Sequence, residues 1–258
     1  TVTGNISLSS GNTLTIEAGT TVKFDLNKVL YIYGTLIARG TNSSNITFTS
    51  NESTPSASDY VFKFFESSVD ASFDGDGNYS SGSILEYCII EYGQGVYLNY
   101  AFPFINNCTI RYNGTYPGIY GSAPSGVSGK ITNNQFYNNS EGGLRFGGNG
   151  GVALISNNNI YNNTCSSCIQ NYGAGANISS TTIFSNNTVK NNYLTNGRDG
   201  GGIYAGSGSR VINNKIIGNT TNGDGGGIYG DGGAYIANNI IYGNSAGDDG
   251  GGINIHHP

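Results

Sequence analysis

The sequence contains no methionine and no tryptophan, only two histidines, and 10% charged residues, where an ordinary globular mixture has roughly 25%. Its eleven lysines and arginines are scattered and the net charge is −5. That excludes the clustered basic surface needed for nucleic acid or an anionic membrane. No run of about 18 apolar residues occurs, so no segment reads as a membrane span. No stretch repeats its apolar residues with the 3.6-residue period of a helix. The chain opens at Thr1 without a basic and then apolar leader, so any export signal is expected to lie outside this sequence.

What is abundant is glycine and asparagine, 42 and 36 residues of 258. Such bias points to repeats or to disorder. Disorder is the weaker account, because 19 tyrosines, 11 phenylalanines and regularly placed isoleucines supply ample apolar surface to bury.

The repeat is visible as an Asn-Asn pair followed by an apolar residue. It occurs at Asn106-Asn107-Cys108-Thr109-Ile110, Asn133-Asn134-Gln135-Phe136, Asn158-Asn159-Ile160, Asn186-Asn187-Thr188-Val189, Asn213-Asn214-Lys215-Ile216 and Asn238-Asn239-Ile240-Ile241. A second mark, Asp-Gly-Gly-Gly-Ile, begins at Asp199, Asp224 and Asp249. Short β-branched or aromatic runs between Gly and Asn read as strands, and a period near 25 fits one turn of a parallel β-solenoid. Asn and Gly accept left-handed backbone geometry at the corners. Stacked coils bring equivalent asparagines within about 4.8 Å, close enough for side-chain ladders.

The fold class expected is therefore all-β, a single right-handed parallel β-helix of about ten coils over residues 1–258. Residues 1–50 alternate with period two and form the opening coils; 51–83 fit a coil with a surface insertion; 84–258 are the regular Asn/Gly-rich coils. The pattern resembles the right-handed parallel β-helix repeat proteins of bacterial and archaeal cell surfaces. The opening Thr15-Ile-Glu-Ala-Gly-Thr-Thr-Val-Lys-Phe24 is similar to the first coils of many such exported proteins. The Gly-Gly-Ile and Asn-Asn-x-Ile elements resemble those of surface adhesins and autotransporter passengers. The resemblance implies fold far more strongly than function, because one scaffold carries lyases, hydrolases, adhesins and structural proteins.

A polysaccharide lyase needs a base beside acidic calcium ligands, and a hydrolase needs paired carboxylates facing the sugar bond. The arginines (Arg39, Arg111, Arg145, Arg198, Arg210) and lysines do not recur on one register near an acidic cluster, and Asp248-Asp249 stands alone. His256 and His257 are the penultimate residues and receive no role. No catalytic residue is assigned.

Asp199, Asp224 and Asp249 stack three carboxylates along one corner. Either they are solvated turn residues aided by Arg198 and Arg210, or a hard cation such as calcium neutralises them. Asp74-Gly-Asp76-Gly-Asn78 has the alternating oxygens of a calcium loop but lacks its glycine and glutamate, with Tyr79 and Leu85 in those places. It reads as a polar surface loop or a weak calcium site. Calcium is the one cofactor these residues suggest.

Cys88 and Cys108 occupy equivalent places in adjacent coils and either bond or fill the core. Cys165 and Cys168 suit an oxidised loop clip. Tyr120, Tyr204 and Tyr229, with Phe146 in the same column, stand beside the turns and either bind sugar rings or pack inward. Sequons at Asn5, Asn42, Asn45, Asn51, Asn78, Asn113, Asn177 and Asn219 suggest glycosylation and an extracellular or cell-surface location.

Neither end offers an obvious cap over its β-edge. The leading functional expectation is an exported, non-catalytic structural protein whose partner is itself, assembling into a surface layer, sheath or filament. The alternatives are an adhesin or carbohydrate-binding passenger domain with a cell-surface glycan as partner, and a polysaccharide lyase or hydrolase.

Overall fold

A computed structural model describes residues 1–56, 60–166, 173–195 and 197–256. Among them every regular element is a β-strand. The chain winds as a parallel solenoid with three long faces, one of ten strands and two of nine. Each strand pairs in parallel with its counterparts one coil before and one coil after, as in Ile203↔Ile228↔Ile253 on the first face. These two steps are the 25-residue repeat of the sequence. Inserted loops stretch other coils, so that Arg145 pairs with Asn177.

The corners explain the asparagines. Between the second and third faces the residue taking left-handed geometry is Tyr87, Asn107, Asn133, Asn157, Asn186, Asn213 or Asn238. The residue after each turns its side chain into the solenoid. Asn134 shows the bonding: its N–H and its amide both donate to Oδ1 of Asn158, at 2.9 and 3.0 Å, and its amide also donates to the Ile105 carbonyl one coil back. Asn158, Asn187 and Asn214 repeat the pattern. A second ladder, Asn113, Asn139, Asn163, Asn192, Asn219 and Asn244, runs down the next corner. Buried main-chain groups at each turn thereby find partners without water.

The structure shifts the register of two sequence marks by one residue. The pair equivalent to Asn133-Asn134 is Asn157-Asn158, with Asn159 already in the strand opposite Gln135. In the preceding coil it is Asn107-Cys108, since Thr109 pairs with Gln135. A run of three asparagines and a cysteine at a ladder position concealed this.

Inward columns of Phe, Ile, Leu, Val and Ala form one continuous core, whose bulkiest side chains run from Phe24, Phe48, Phe62 and Phe64 to Phe136, Phe146 and Phe184. Between the first-face strand Tyr60–Phe65 and the second-face strand Ile84–Glu86, the insertion folds into an antiparallel hairpin of Ser72–Phe73 and Tyr79–Ser81. It lies on the second face, where Phe73 meets Phe104 edge-on at 5.3 Å and Lys130 sits 4.4 Å from the Phe73 ring centre.

Candidate functional site

On the first face, alternate residues point outward and stack coil on coil. One outward column reads Lys63, Tyr97, Tyr120, Arg145, Asn177, Tyr204, Tyr229. The column beside it reads Phe65, Asn99, Ser122, Gly147, Ser179. The second column falls from an aromatic to glycine while the first keeps large side chains, so a trough forms along the solenoid. Part of it is a cavity of about 480 Å³ walled by Tyr97, Tyr120, Arg145 and Tyr204 and lined at its side by Asn99, Ser122, Gly147, Asn177 and Ser179. A further hollow of about 450 Å³, lined by Tyr33, Phe65, Glu66, Ser67 and Asn99, adjoins it across Asn99.

The tyrosine wall is ordered by stacking. Tyr97, Tyr116 and Tyr120 lie nearly parallel with centroids 5.2 to 6.0 Å apart. Lys63 lies 4.5 Å from the Tyr97 ring centre, and the Arg145 guanidinium lies 5.5 Å from that of Tyr120, both within cation–π range. Farther down, Tyr204 and Tyr229 stack at 5.6 Å, and the Tyr204 hydroxyl donates to Asp231 at 3.2 Å. Between Tyr120 and Tyr204 the column holds only Arg145 and the nearly buried Asn177, leaving a slot flanked by aromatic rings. Burial, and secondarily the neighbouring Tyr120, Tyr116 and Tyr100, pushes the Tyr97 hydroxyl above its usual pKa. It therefore serves as a neutral donor and acceptor.

Of the tyrosine column read from the sequence, Tyr120, Tyr204 and Tyr229 are outward as one column. Phe146 is not among them: it pairs with Gly121, faces the core, and is 1% exposed. Arg145 takes the outward place. Tyr97 and Asn99 escaped the sequence reading, which took Asn177 only as a sequon. Their signal is the alternation of Val96-Tyr-Leu-Asn99, Ile119-Tyr-Gly-Ser122, Leu144-Arg-Phe-Gly147 and Ala176-Asn-Ile-Ser179, legible once the strands are aligned.

The three turn aspartates stack, and the carboxylates of the first two reach the next main chain. Oδ1 of Asp199 accepts the Asp224 N–H at 3.0 Å, and Oδ1 of Asp224 accepts the Asp249 N–H at 2.7 Å. Burial raises the Asp199 carboxyl above its usual pKa, partly offset by that hydrogen bond. Asp74 closes the hairpin tip on itself: its carboxylate accepts the N–H groups of Asp76 and Asn78 and the Asn78 amide, bonds that hold its pKa low. Among the described residues, no three acidic, histidine or cysteine side chains converge as a metal site.

Cys88 and Cys108 stand in register as free, buried thiols, so the bonded alternative is not the state seen. Cys165 is buried against Leu194 and Ala174, whereas Cys168 and His257 lie outside the described residues. Asn5, Asn42, Asn45, Asn51 and Asn78 are exposed. Asn113 and Asn219 correct the glycosylation expectation: both are fully buried ladder members whose amides donate internally, so neither amide is open to a glycan in the folded chain. Asn177 is 8% exposed and lines the trough.

No curated protein and no solved structure matches the chain. The model of the right-handed β-helix region matches residues 117–257, more than half of the sequence, and the chain belongs to that family.

Proposed function

We propose that this chain is an extracellular glycan-binding protein whose ligand lies in the first-face trough. The observation that carries the reading is the cavity between Tyr120 and Tyr204, with Arg145 on its wall and amide and hydroxyl groups along its side. Sugars offer apolar C–H faces ringed by hydroxyls, and a concave site pairing aromatic surface with a few polar groups suits them. Binding without catalysis is the reading, supported by the absence of carboxylate and imidazole among the residues lining the larger cavity. Export belongs to the same reading. Its supports are the exposed sequons at Asn5, Asn42, Asn45, Asn51 and Asn78 and Cys165, whose sulfur is disulfide-bonded.

The test is binding of the labelled chain to an array of neutral and acidic glycans, beside the variants Ser122→Tyr, which fills the trough, and Arg145→Ala. A glycan bound by the parent and weakened about tenfold or more by either change supports the reading, since one charged hydrogen bond is worth roughly 1.5 kcal/mol or more. No bound glycan, or binding indifferent to both changes, overturns it.

Self-association into a surface layer is a second reading. It is supported by the exposed apolar side chains of the last coils, Tyr235, Ile240, Tyr242, Ile253 and Ile255, beside strand edges able to pair with another chain. Electron microscopy over a concentration series tests it: ordered sheets or filaments favour it, and single particles at every concentration exclude it.

A further inference from the structure

The Cys88–Cys108 pair has no place in the glycan reading, yet its position is unusual. One interior column runs Ile46, Cys88, Cys108, Asn134, Asn158. The two sulfurs therefore occupy the first rungs of the asparagine ladder, and they copy its bonding. The Cys88 N–H points at Sγ of Cys108 at 3.4 Å, as the Cys108 N–H points at Oδ1 of Asn134. Sγ of Cys108 contacts the Leu85 carbonyl at 3.3 Å and Sγ of Cys88 the Ala38 carbonyl at 3.5 Å, the contacts an amide makes elsewhere. A thiol is a weak donor, so these are the weakest rungs of the ladder. They are also the only ones whose side chains can join covalently.

We propose that Cys88 and Cys108 form a disulfide that ties two adjacent coils together when the chain folds in an oxidising environment. Neighbours in register on parallel strands are about 4.8 Å apart, inside the 4.4–6.8 Å Cα window of a disulfide. The oxidant is a low-molecular-weight disulfide. One cysteine thiolate attacks it and releases one small thiol; the second cysteine displaces the other, leaving the Cys88–Cys108 bond. The two cysteine protons end on the two released thiols. Each cysteine is 1% exposed, and Cys108 together with burial pushes the Cys88 thiol well above its usual pKa, so exchange belongs to folding, before these coils close. The inference is independent of the glycan reading.

The experiment refolds the full chain carrying Cys165→Ser and Cys168→Ser in oxidised or reduced glutathione buffer. It is then denatured and alkylated, and its peptides are mapped by mass. The expected result is a linked peptide containing Cys88 and Cys108 only after oxidising refolding, with unfolding in denaturant slowed about tenfold or more. Adding Cys88→Ala abolishes both. Full alkylation of both cysteines after oxidising refolding overturns the proposal and leaves the sulfurs as packing between Ile46 and the asparagines. If the doubly substituted background does not refold, the same map on the parent chain decides, because a Cys88–Cys108 peptide is distinct in mass from any peptide containing Cys165.

Discussion

The main-chain N–H of Cys108 donates to Oδ1 of Asn134 at 2.8 Å, the bond that Asn134 in turn makes to Asn158 at 2.9 Å. A sulfur thus sits where the ladder would place an amide. Replacing it, Cys108→Asn, is expected to extend the ladder by one rung, the new amide donating toward the Leu85 carbonyl and its oxygen accepting the Cys88 N–H. The gain should be about 1 kcal/mol, the net worth of a good buried hydrogen bond. Urea unfolding in the presence of reductant measures it, and a lower midpoint would show that the place between Cys88 and Asn134 tolerates sulfur better than amide.

The opposite change inside the ladder should be severe. Asn158 is 2% exposed; its oxygen accepts from Asn134, and its amide serves the Ile131 carbonyl and Asn187. Asn158→Ala strands these groups in a dry corner, at about 1–3 kcal/mol for each buried group left unpaired. Asn157→Gly, one residue earlier, removes only a side chain from a left-handed position with φ 58° that glycine adopts freely. Unfolding midpoints should therefore fall sharply for the first variant and move little for the second.

Asp199 gives the pH dependence. Its folded pKa is raised, chiefly by burial, so near and just above pH 3.8 the native state holds a proton that the unfolded chain has released. Its contribution to stability then falls as pH rises through that window. Asp199→Asn keeps the oxygen that accepts the Asp224 N–H and removes the titration. Relative to the parent, this variant should grow more stable from about pH 4 to pH 7; thermal melts of both proteins across that range check the sign, and a constant difference would refute it.

The fold was legible because the corners are made by residue type. An αL position followed by an inward amide twice per coil leaves Asn-Asn and Gly-Asn pairs at near-constant spacing, and the strands fall between them. The exceptions have chemical causes. Tyr87, Tyr92 and Tyr112 take left-handed geometry themselves, the last two while stacking on each other at 5.4 Å, and a tyrosine gives no sequence sign of a turn. The trough was legible only in part. Its wall comes from single outward residues on coils 23 to 32 residues apart, so a register error of one, as with Phe146 and Arg145, exchanges core for surface. Buried sequons were misread for a related reason, since Asn-x-Thr is also what a ladder asparagine followed by a strand looks like.

Between the calcium and the solvated-turn alternatives for the aspartates, metal dependence decides. The spacing of Asp199, Asp224 and Asp249 allows a row of calcium ions, but a carboxylate oxygen of Asp199 and of Asp224 already accepts a main-chain N–H from the next coil. The Asp74 carboxylate is turned to donors inside its own hairpin. Donors of this kind lie where a cation would need to sit. Addition of millimolar calcium, or of chelator, should therefore leave the melting temperature unchanged to within about 1 °C. A specific ion at a hundred times its Kd would add roughly 2.7 kcal/mol, a rise of about 5 to 11 °C for a chain of this size. A rise of that order that Asp224→Asn removes would show that the aspartate ladder opens toward a cation, and that the calcium alternative describes this corner after all.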